Sequence, residues 1–215
     1  MINFFKMKNE IPIFAIDFEG SKSIGIVEFG AVGILNGEIF FAKEALCAPE
    51  KDIDLKTQKI TGIANELAAQ NPPFEANYEL FAQMRTRGIF AAHNFHTEDS
   101  LLRRYFPCPC RVKNFFTNQD TLSWGPWLDS RILARKLISS PSEKLSELAA
   151  ALNLESELNF YAQKICTPAR NKWHCALFDA LASALIIKAA LPHFADLAAL
   201  AEFSSIENSG NSLFS

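Results

Sequence analysis

The chain has 215 residues, 49% of them hydrophobic, and a formal net charge of -3. That length suits one α/β domain, alone or with a short appendage, and the hydrophobic share supports a sizeable core. The charge balance excludes an overall basic field, so any nucleic-acid contact must be local. No apolar run approaches the roughly 20 residues of a membrane span, and Met1–Glu10 lacks the long apolar stretch of a signal peptide. Five cysteines, an odd number, point to reduced thiols in a cytoplasmic protein.

The first legible element is Ile13–Glu19, an apolar strand that carries two acids. Alternation sends Phe14, Ile16 and Phe18 to one side and Asp17 and Glu19 to the other. Two unit charges roughly 4 Å apart repel by about 4 kcal/mol at an effective dielectric of 20, and a divalent cation between them reverses the sign. Taken alone, Asp-x-Glu fits a solvated strand end equally well. Ile24–Leu35 and Glu38–Leu46 are also β-rich, and Asn36-Gly37 between them suits a type I′ turn, so the acidic strand starts an antiparallel meander. Gly30 and Gly33 lack dinucleotide-loop spacing.

Asp54 is placed to cap a short helix, Leu55–Ile60, that stops at Thr61-Gly62. Pro72-Pro73 opens a helix over Phe74–Arg87, ended by Gly88. Ile89–Ala92 is wholly apolar, as a central strand should be. His93-Asn94 follows, and a helix begins at Glu98-Asp99 with Leu101 and Leu102 inward; acids in a first helical turn also suit the helix dipole. Phe106–Trp127 is the least legible stretch, with a strand near Val112–Phe116. Cys108-Pro109-Cys110 has neither Cys-x-x-Cys spacing nor a matching pair, and reads as two loop cysteines. Asp129–Ile138 is helical, and Ser140-Pro141-Ser142-Glu143 reads as a capping box opening Glu143–Leu152. Glu155–Ile165 is a further helix. Beyond the break at Pro168, His174–Ala190 is an alanine-rich apolar helix, and a last helix spans Ala195–Phe203. With no repeats and no linker, residues 1–203 read as one domain and 204–215 as a flexible tail.

Asp179 lies inside the apolar helix, where a charge is expensive unless neutralised. A lone Asp there would be a cap or an ion pair. With Asp17, Glu19 and the Glu98-Asp99 pair elsewhere in the chain, a metal site is the economical account, and hard oxygen ligands suit Mg²⁺ or Mn²⁺.

At this point the chain resembles the DEDD-type 3′→5′ exonucleases, in the branch with a catalytic histidine. Asp17-Phe18-Glu19-Gly20-Ser21 resembles the first motif. Ile60-Thr61-Gly62-Ile63 resembles the segment before the second, and Ala92-His93-Asn94 with Glu98 and Leu102 resembles the second. His174-x-Ala176-x-x-Asp179-Ala180 resembles the third. Asp129–Leu137 and Lys144–Leu152 resemble the intervening helices. The resemblance covers roughly Ile11–Ala190. It implies a ribonuclease H-like α/β fold, with a mixed sheet of antiparallel and parallel strands flanked by helices. It implies two divalent cations, Mg²⁺ or Mn²⁺, with Asp17 bridging both, Glu19 and Asp179 completing the inner site, and Glu98 holding the outer one largely through water. His174 would take the proton from the attacking water, near whose working pH its unperturbed pKa lies.

Substrate contacts would come from Gly20, Ser21 and Asn94, with Phe18 and Phe95 wedging or stacking on terminal bases. By alternation alone Phe18 is a core residue. Arg103, Arg104, Arg111, Lys113, Arg170 and Lys172 are candidate phosphate contacts, although a solvated surface charge is the commoner role for each. The implied substrate is the 3′ end of single-stranded nucleic acid, DNA before RNA, and the implied partner a DNA polymerase or another replication or repair protein. One departure stands out: the family's second-motif aspartate is here Glu98, with Asp99 one residue on. A helix step turns a side chain by about 100°, which favours Glu98 over Asp99 as the ligand. A binding module with a weakened site is the rival reading. A zinc adaptor built from His93, His96, Cys108 and Cys110 is a weaker third.

Overall fold

The computed structural model describes residues 11–107, 111–140 and 142–210, and of 205–210 the backbone only. In chain order the elements are β1 (Ile13–Ser21), β2 (Gly25–Leu35), β3 (Glu38–Leu46), α1 (Leu55–Thr61), α2 (Asn65–Ala68), α3 (Tyr78–Arg87), β4 (Ile89–Ala92) and α4 (His96–Tyr105). There follow β5 (Val112–Lys113), β6 (Asp120–Thr121), β7 (Trp127–Asp129), α5 (Ser130–Leu137), α6 (Leu145–Ala151), α7 (Glu155–Ile165), α8 (Ala176–Ala190) and α9 (Leu197–Gly210). The main sheet runs β3-β2-β1-β4-β7, antiparallel through β3-β2-β1 and parallel through β1-β4-β7. This is the mixed ribonuclease H-like sheet implied by the sequence.

Alternation along β1 sorts two cores. Ile13 and Ala15 face a layer formed mainly by α8, α5 and α7, with Val32, Ile34, Leu177 and Leu181. Phe14, Ile16 and Phe18 face α3 and α4, among Phe29, Phe74, Phe81, Phe90 and Trp124. Asp17 and Glu19 therefore project on the α8 side, at the end of the sheet where that helix begins. Gly30 pairs with Asp17 across the ladder, and a Cβ on it would fall 2.2 Å from the carbonyl carbon of Ala176. Only glycine lets α8 start so close to the acidic strand.

Local signals mostly hold. Asn36 and Gly37 take φ of 52° and 77°, as a type I′ hairpin requires. Asp54 accepts the Thr57 N–H at 3.0 Å, and Gly62 ends α1 at φ 73°. The Phe74–Arg87 helix is split, with a 3₁₀ turn over Phe74–Asn77 before α3. The strand near Val112–Phe116 shrinks to Val112–Lys113.

Three expectations are corrected. The capping box does not form: α6 starts at Leu145 with no side-chain cap, because Glu143 turns back to pair with Arg131 and Arg135 on α5. Pro141 lies outside the described residues, as do Cys108 and Cys110. The last helix does not stop at Phe203: α9 runs to Gly210, and the buried Ser204 Oγ accepts the Asp129 N–H at 2.7 Å. Finally, Ala176–His193 is long and apolar enough to cross a membrane by length and composition, but 72% of it is buried inside the fold, as befits a core helix.

Candidate active site

The end of β1 and the first turns of α4 and α8 bring four acids and a histidine together. Ligand atoms of Glu19, His174 and Asp179 all lie within 4.8 Å of one another. Asp17, half-buried one pleat along, has its carboxyl pushed well above the usual range, first by burial and then by Asp179, Glu98 and Glu19. Burial, then the Asp179 and Glu28 carboxylates, pushes Glu19 up to about 8, against a lowering by Arg170. Asp179 is pushed up to about 7, mainly by burial, although its Oδ2 accepts the His174 N–H at 3.2 Å. Glu98, 5% exposed, is pushed up to about 8, by burial first, then by Asp129 and Glu19.

The cluster lacks donors. Glu98 Oε2 and Asp179 Oδ1 are buried with no hydrogen-bond partner among the described residues. A buried carboxylate oxygen without a donor is costly. Oxygen donors facing one another across a few ångströms, without thiolates, fit hard divalent cations. Asp17, Glu19, Glu98 and Asp179 would hold them: burial and then other carboxylates of the set raise the pKa of Asp17 and Glu19, and Glu98 and Asp179 each keep an oxygen with lone pairs free to donate.

Glu98 and Asp99 have opposite surroundings. Asp99 Oδ1 accepts the Trp127 Nε1–H at 2.9 Å, and its Oδ2 pairs with Arg103 at 2.6 Å. Asp99 thus faces away from the acids, and Glu98 faces toward them, as the helix register predicts. His174 is exposed, one residue before the N-cap of α8, with φ 62°. That left-handed backbone turns its ring into reach of Glu19 and Asp179.

Several sequence candidates frame the cluster. Gly20, at φ 134°, sits beside a register shift in β1, and a Cβ on it would lie 2.1 Å from the Gly25 carbonyl oxygen. Ser21 Oγ accepts the Ser23 and Ile24 N–H groups, which shapes the turn after β1. Asn94, also left-handed at φ 62°, donates its N–H to Asp129 Oδ1 at 3.1 Å. Phe95 is half-buried and stacks on Trp127, ring centroids 6.0 Å apart. A cleft of about 430 Å³ runs beside these groups, lined by Gly20, Ser21, Lys22, His96, Thr97 and Ser100.

Phe18 is a correction. It is 7% exposed and packs edge-on against Phe74 at 5.4 Å, so its ring presents no face to a base. Arg170 is another: its guanidinium pairs with Glu28 rather than lying open to phosphate. Arg103 and Arg104 pair with Asp99 and Glu50, while Arg111 and Lys113 share Asp120. Lys172 is exposed, its Nζ 3.6 Å from where a Cβ on Gly62 would stand. His93 is held between Ser130 Oγ at 2.9 Å and the Glu143 carbonyl at 2.7 Å, and burial lowers its pKa. Both its ring nitrogens are therefore taken by protein partners, which removes it from a zinc set.

Two site-shaping acids were not singled out in the sequence: Asp129, which fixes the Asn94 loop, and Glu28. An acid within the apolar run Gly25–Leu35 was the available signal for Glu28, the same one that marked Asp179.

The Exonuclease family profile matches residues 15–187, which span all of these groups. The chain belongs to the Exonuclease family. It is similar to the PolC-type DNA polymerase III of Thermotoga petrophila, 28% identical over 130 residues, covering 60% of this chain and 9% of that protein. The 3′-5′ exonuclease DinG of Bacillus subtilis is 35% identical over 75 residues, 35% of this chain and 8% of DinG. The chain thus spans about a tenth of the length of these curated relatives. Among solved structures, Exonuclease X in complex with 5′-overhanging duplex DNA superposes with a TM-score of 0.62 at 20% identity, covering 90% of this chain and 99% of that one. The nuclease domain of 3′hExo, a DEDDh family member bound to rAMP, gives 0.57 at 15% identity, over 86% and 94% of the two chains. At such identities these two likenesses show the shared fold. The exonuclease class of the chain rests on the family match.

Proposed function

We propose that this exonuclease removes nucleotides from the 3′ end of single-stranded nucleic acid, DNA in preference to RNA, and releases 5′-mononucleotides. The observation that carries the reading is the convergence of Asp17, Glu19, Glu98, Asp179 and His174, with two carboxylate oxygens left without donors. Two divalent cations, Mg²⁺ or Mn²⁺, would supply an acidified water and neutralise charge on the phosphoryl oxygens. Asp17, Glu19, Glu98 and Asp179 would hold them. His174 accepts the proton of the attacking water, and its exposed position at the mouth of the cluster leaves a route for that proton to solvent. Gly20, Ser21 and the Asn94 loop line the approach, and Phe95 offers a stacking face. The likeness to a PolC-type DNA polymerase III supports DNA as substrate and a polymerase as partner, and the proposal extends to a proofreading or repair role in the cytoplasm.

The test is degradation of 5′-labelled single-stranded DNA and RNA with Mg²⁺, Mn²⁺ or EDTA. The expected result is a ladder of progressively shortened labelled products, abolished by EDTA and faster on DNA. Activity that survives EDTA, or label released first as a mononucleotide, overturns the reading. A binding module with a dead site would retain the oligonucleotide and leave it intact.

A further inference from the structure

Glu28 stands directly across from Glu19 in the β1–β2 ladder and is 1% exposed. It shares a face of β2 with Gly30, the glycine against which α8 begins. Glu28 holds that same turn through its carboxylate, where Oε2 accepts the Ala176 N–H at 3.0 Å. Cys175, at the N-cap position, makes no side-chain cap, so an acid from a different element caps α8. An anion suits a helix N-terminus, yet here it adds to a crowd of carboxylates and pushes Asp17, Glu19 and Asp179 upward.

Arg170 offsets that charge. Its Nε donates to Glu28 Oε1 at 2.9 Å, its Nη2 donates to Glu28 Oε2, and its Nη1 donates to the Thr61 carbonyl at 2.7 Å. One guanidinium thereby joins β2, the turn that leads into His174, and the Thr61-Gly62 segment. A buried ion pair is weak evidence for stability by itself, because desolvation cancels much of its attraction. His174 has a left-handed backbone that L side chains rarely adopt, so its surroundings must hold it.

We propose that Arg170 and Glu28 are positioning residues of the exonuclease site. Together they fix the first turn of α8, and through it His174 and Asp179, against Glu19, and set the distance from that turn to Thr61-Gly62. Neither residue touches the reacting atoms. The catalytic consequence rests on the nuclease reading above; the structural one does not.

The experiment uses the full chain with Arg170→Ala, Arg170→Lys and Glu28→Gln. It measures kcat and KM on a labelled oligonucleotide, and amide hydrogen exchange without substrate. Lysine keeps the charge but lacks the planar fork that reaches two carboxylate oxygens and a carbonyl. Both arginine variants should therefore lose kcat by roughly tenfold or more, as partners that orient ligands do, with KM within about threefold of wild type. Amides over residues 174–179 should exchange roughly tenfold faster while those of β3 and α7 keep wild-type rates. Glu28→Gln preserves size and an acceptor, and shows the same kcat loss and local exchange even where the arginine variants fail to fold. Wild-type kcat in Arg170→Lys would reduce Arg170 to a counter-charge, and a raised KM at unchanged kcat would make it a substrate contact. Uniformly faster exchange would leave only general stability. Each of these outcomes overturns the proposal. A wild-type chain without nuclease activity defeats the functional reading alone, and the exchange pattern still decides the clamp.

Discussion

Two sets of buried acids occupy the same end of the sheet under opposite rules. Glu28 accepts from three donors, Arg170 Nε, Arg170 Nη2 and Ala176 N, and each of its oxygens has at least one. Glu98 and Asp179, buried like Glu28 though less completely, each keep an oxygen with no donor, and their carboxyls are pushed up to about 8 and about 7. A saturated buried acid belongs to the scaffold. A group of unsaturated ones repels itself in the folded state, and a chain that keeps such a group has left the partner to be supplied from solution. Asp129 stands between the two sets. One of its oxygens orients the Asn94 and Arg131 amides, and the other lies 3.9 Å from Arg131 Nη2.

The largest expected effect concerns the histidine that borders the unsaturated set. His174→Ala should lower kcat by about 10²–10⁴-fold, the usual worth of a general base, with KM little changed. A variant that keeps half the wild-type rate would make His174 a bystander and would leave the acids as a metal site without an assigned base.

Next in size is the contrast within one helical turn. Glu98→Ala removes an oxygen donor from the cluster and should lower kcat by at least roughly tenfold more than Asp99→Ala, which loses a Trp127 hydrogen bond worth about 1 kcal/mol and a part-exposed i,i+4 ion pair worth about 0.5 kcal/mol. Glutamate places its carboxylate one methylene further out than the aspartate that the resemblance implies, so an outer cation would be held less rigidly under the proposed mechanism. Mg²⁺ demands near-ideal octahedral geometry, and Mn²⁺ should accordingly give the higher rate. Steady-state assays of both variants with each metal check this. A dead Asp99→Ala beside a near-normal Glu98→Ala would reverse the assignment.

The same contrast explains what could be read from the sequence. Period-two alternation and Asn36-Gly37 specify the meander, and with it the common face of Asp17 and Glu19, because strand geometry is local. Asp54 and Gly62 frame α1 for the same reason, and Glu155–Ile165 emerges with its expected ends. Asp179 was legible as a charge in an apolar helix. Glu28 carries that signal in an apolar strand, but its partner Arg170 is 142 residues away, a pairing no local rule reaches. The capping box failed on similar grounds: Glu143 has the right spacing for a cap, and two arginines on α5 compete for it successfully. Trp127–Asp129 escaped notice because three residues carry no periodicity, although the strand supplies Asp129. Phe18 was legible as core from alternation, and its neighbours in the first motif obscured that.

The smallest expected effect is thermal, and it tests whether the unsaturated acids strain the fold. Without cations, Glu19 and Glu98 are pushed up to about 8 and Asp179 to about 7, in each case chiefly by burial. In the unfolded chain such carboxyls titrate near 4. Between about pH 5 and 8 the unfolded state has therefore released protons that the folded state retains. The folded state binds more protons across that window, so stability falls as pH rises through it. Below about pH 4 both states are protonated and the penalty is absent. Melting in EDTA should thus occur at lower temperature at pH 8 than at pH 5. Glu19→Gln, which removes one of the charges, should flatten that slope and raise the metal-free Tm at pH 8 by about 2–4 °C, the shift that roughly 1 kcal/mol gives a chain of this size. Cations act in the opposite sense, because they bind the ionised ligands and compete with protons. The rise in Tm on adding Mn²⁺ should accordingly be larger at pH 8 than at pH 6, and smaller in Glu19→Gln than in wild type at both. A metal-free Tm that climbs from pH 5 to 8 would mean that these carboxyls are already ionised and stabilised by protein partners, which would place them with Glu28 in the scaffold.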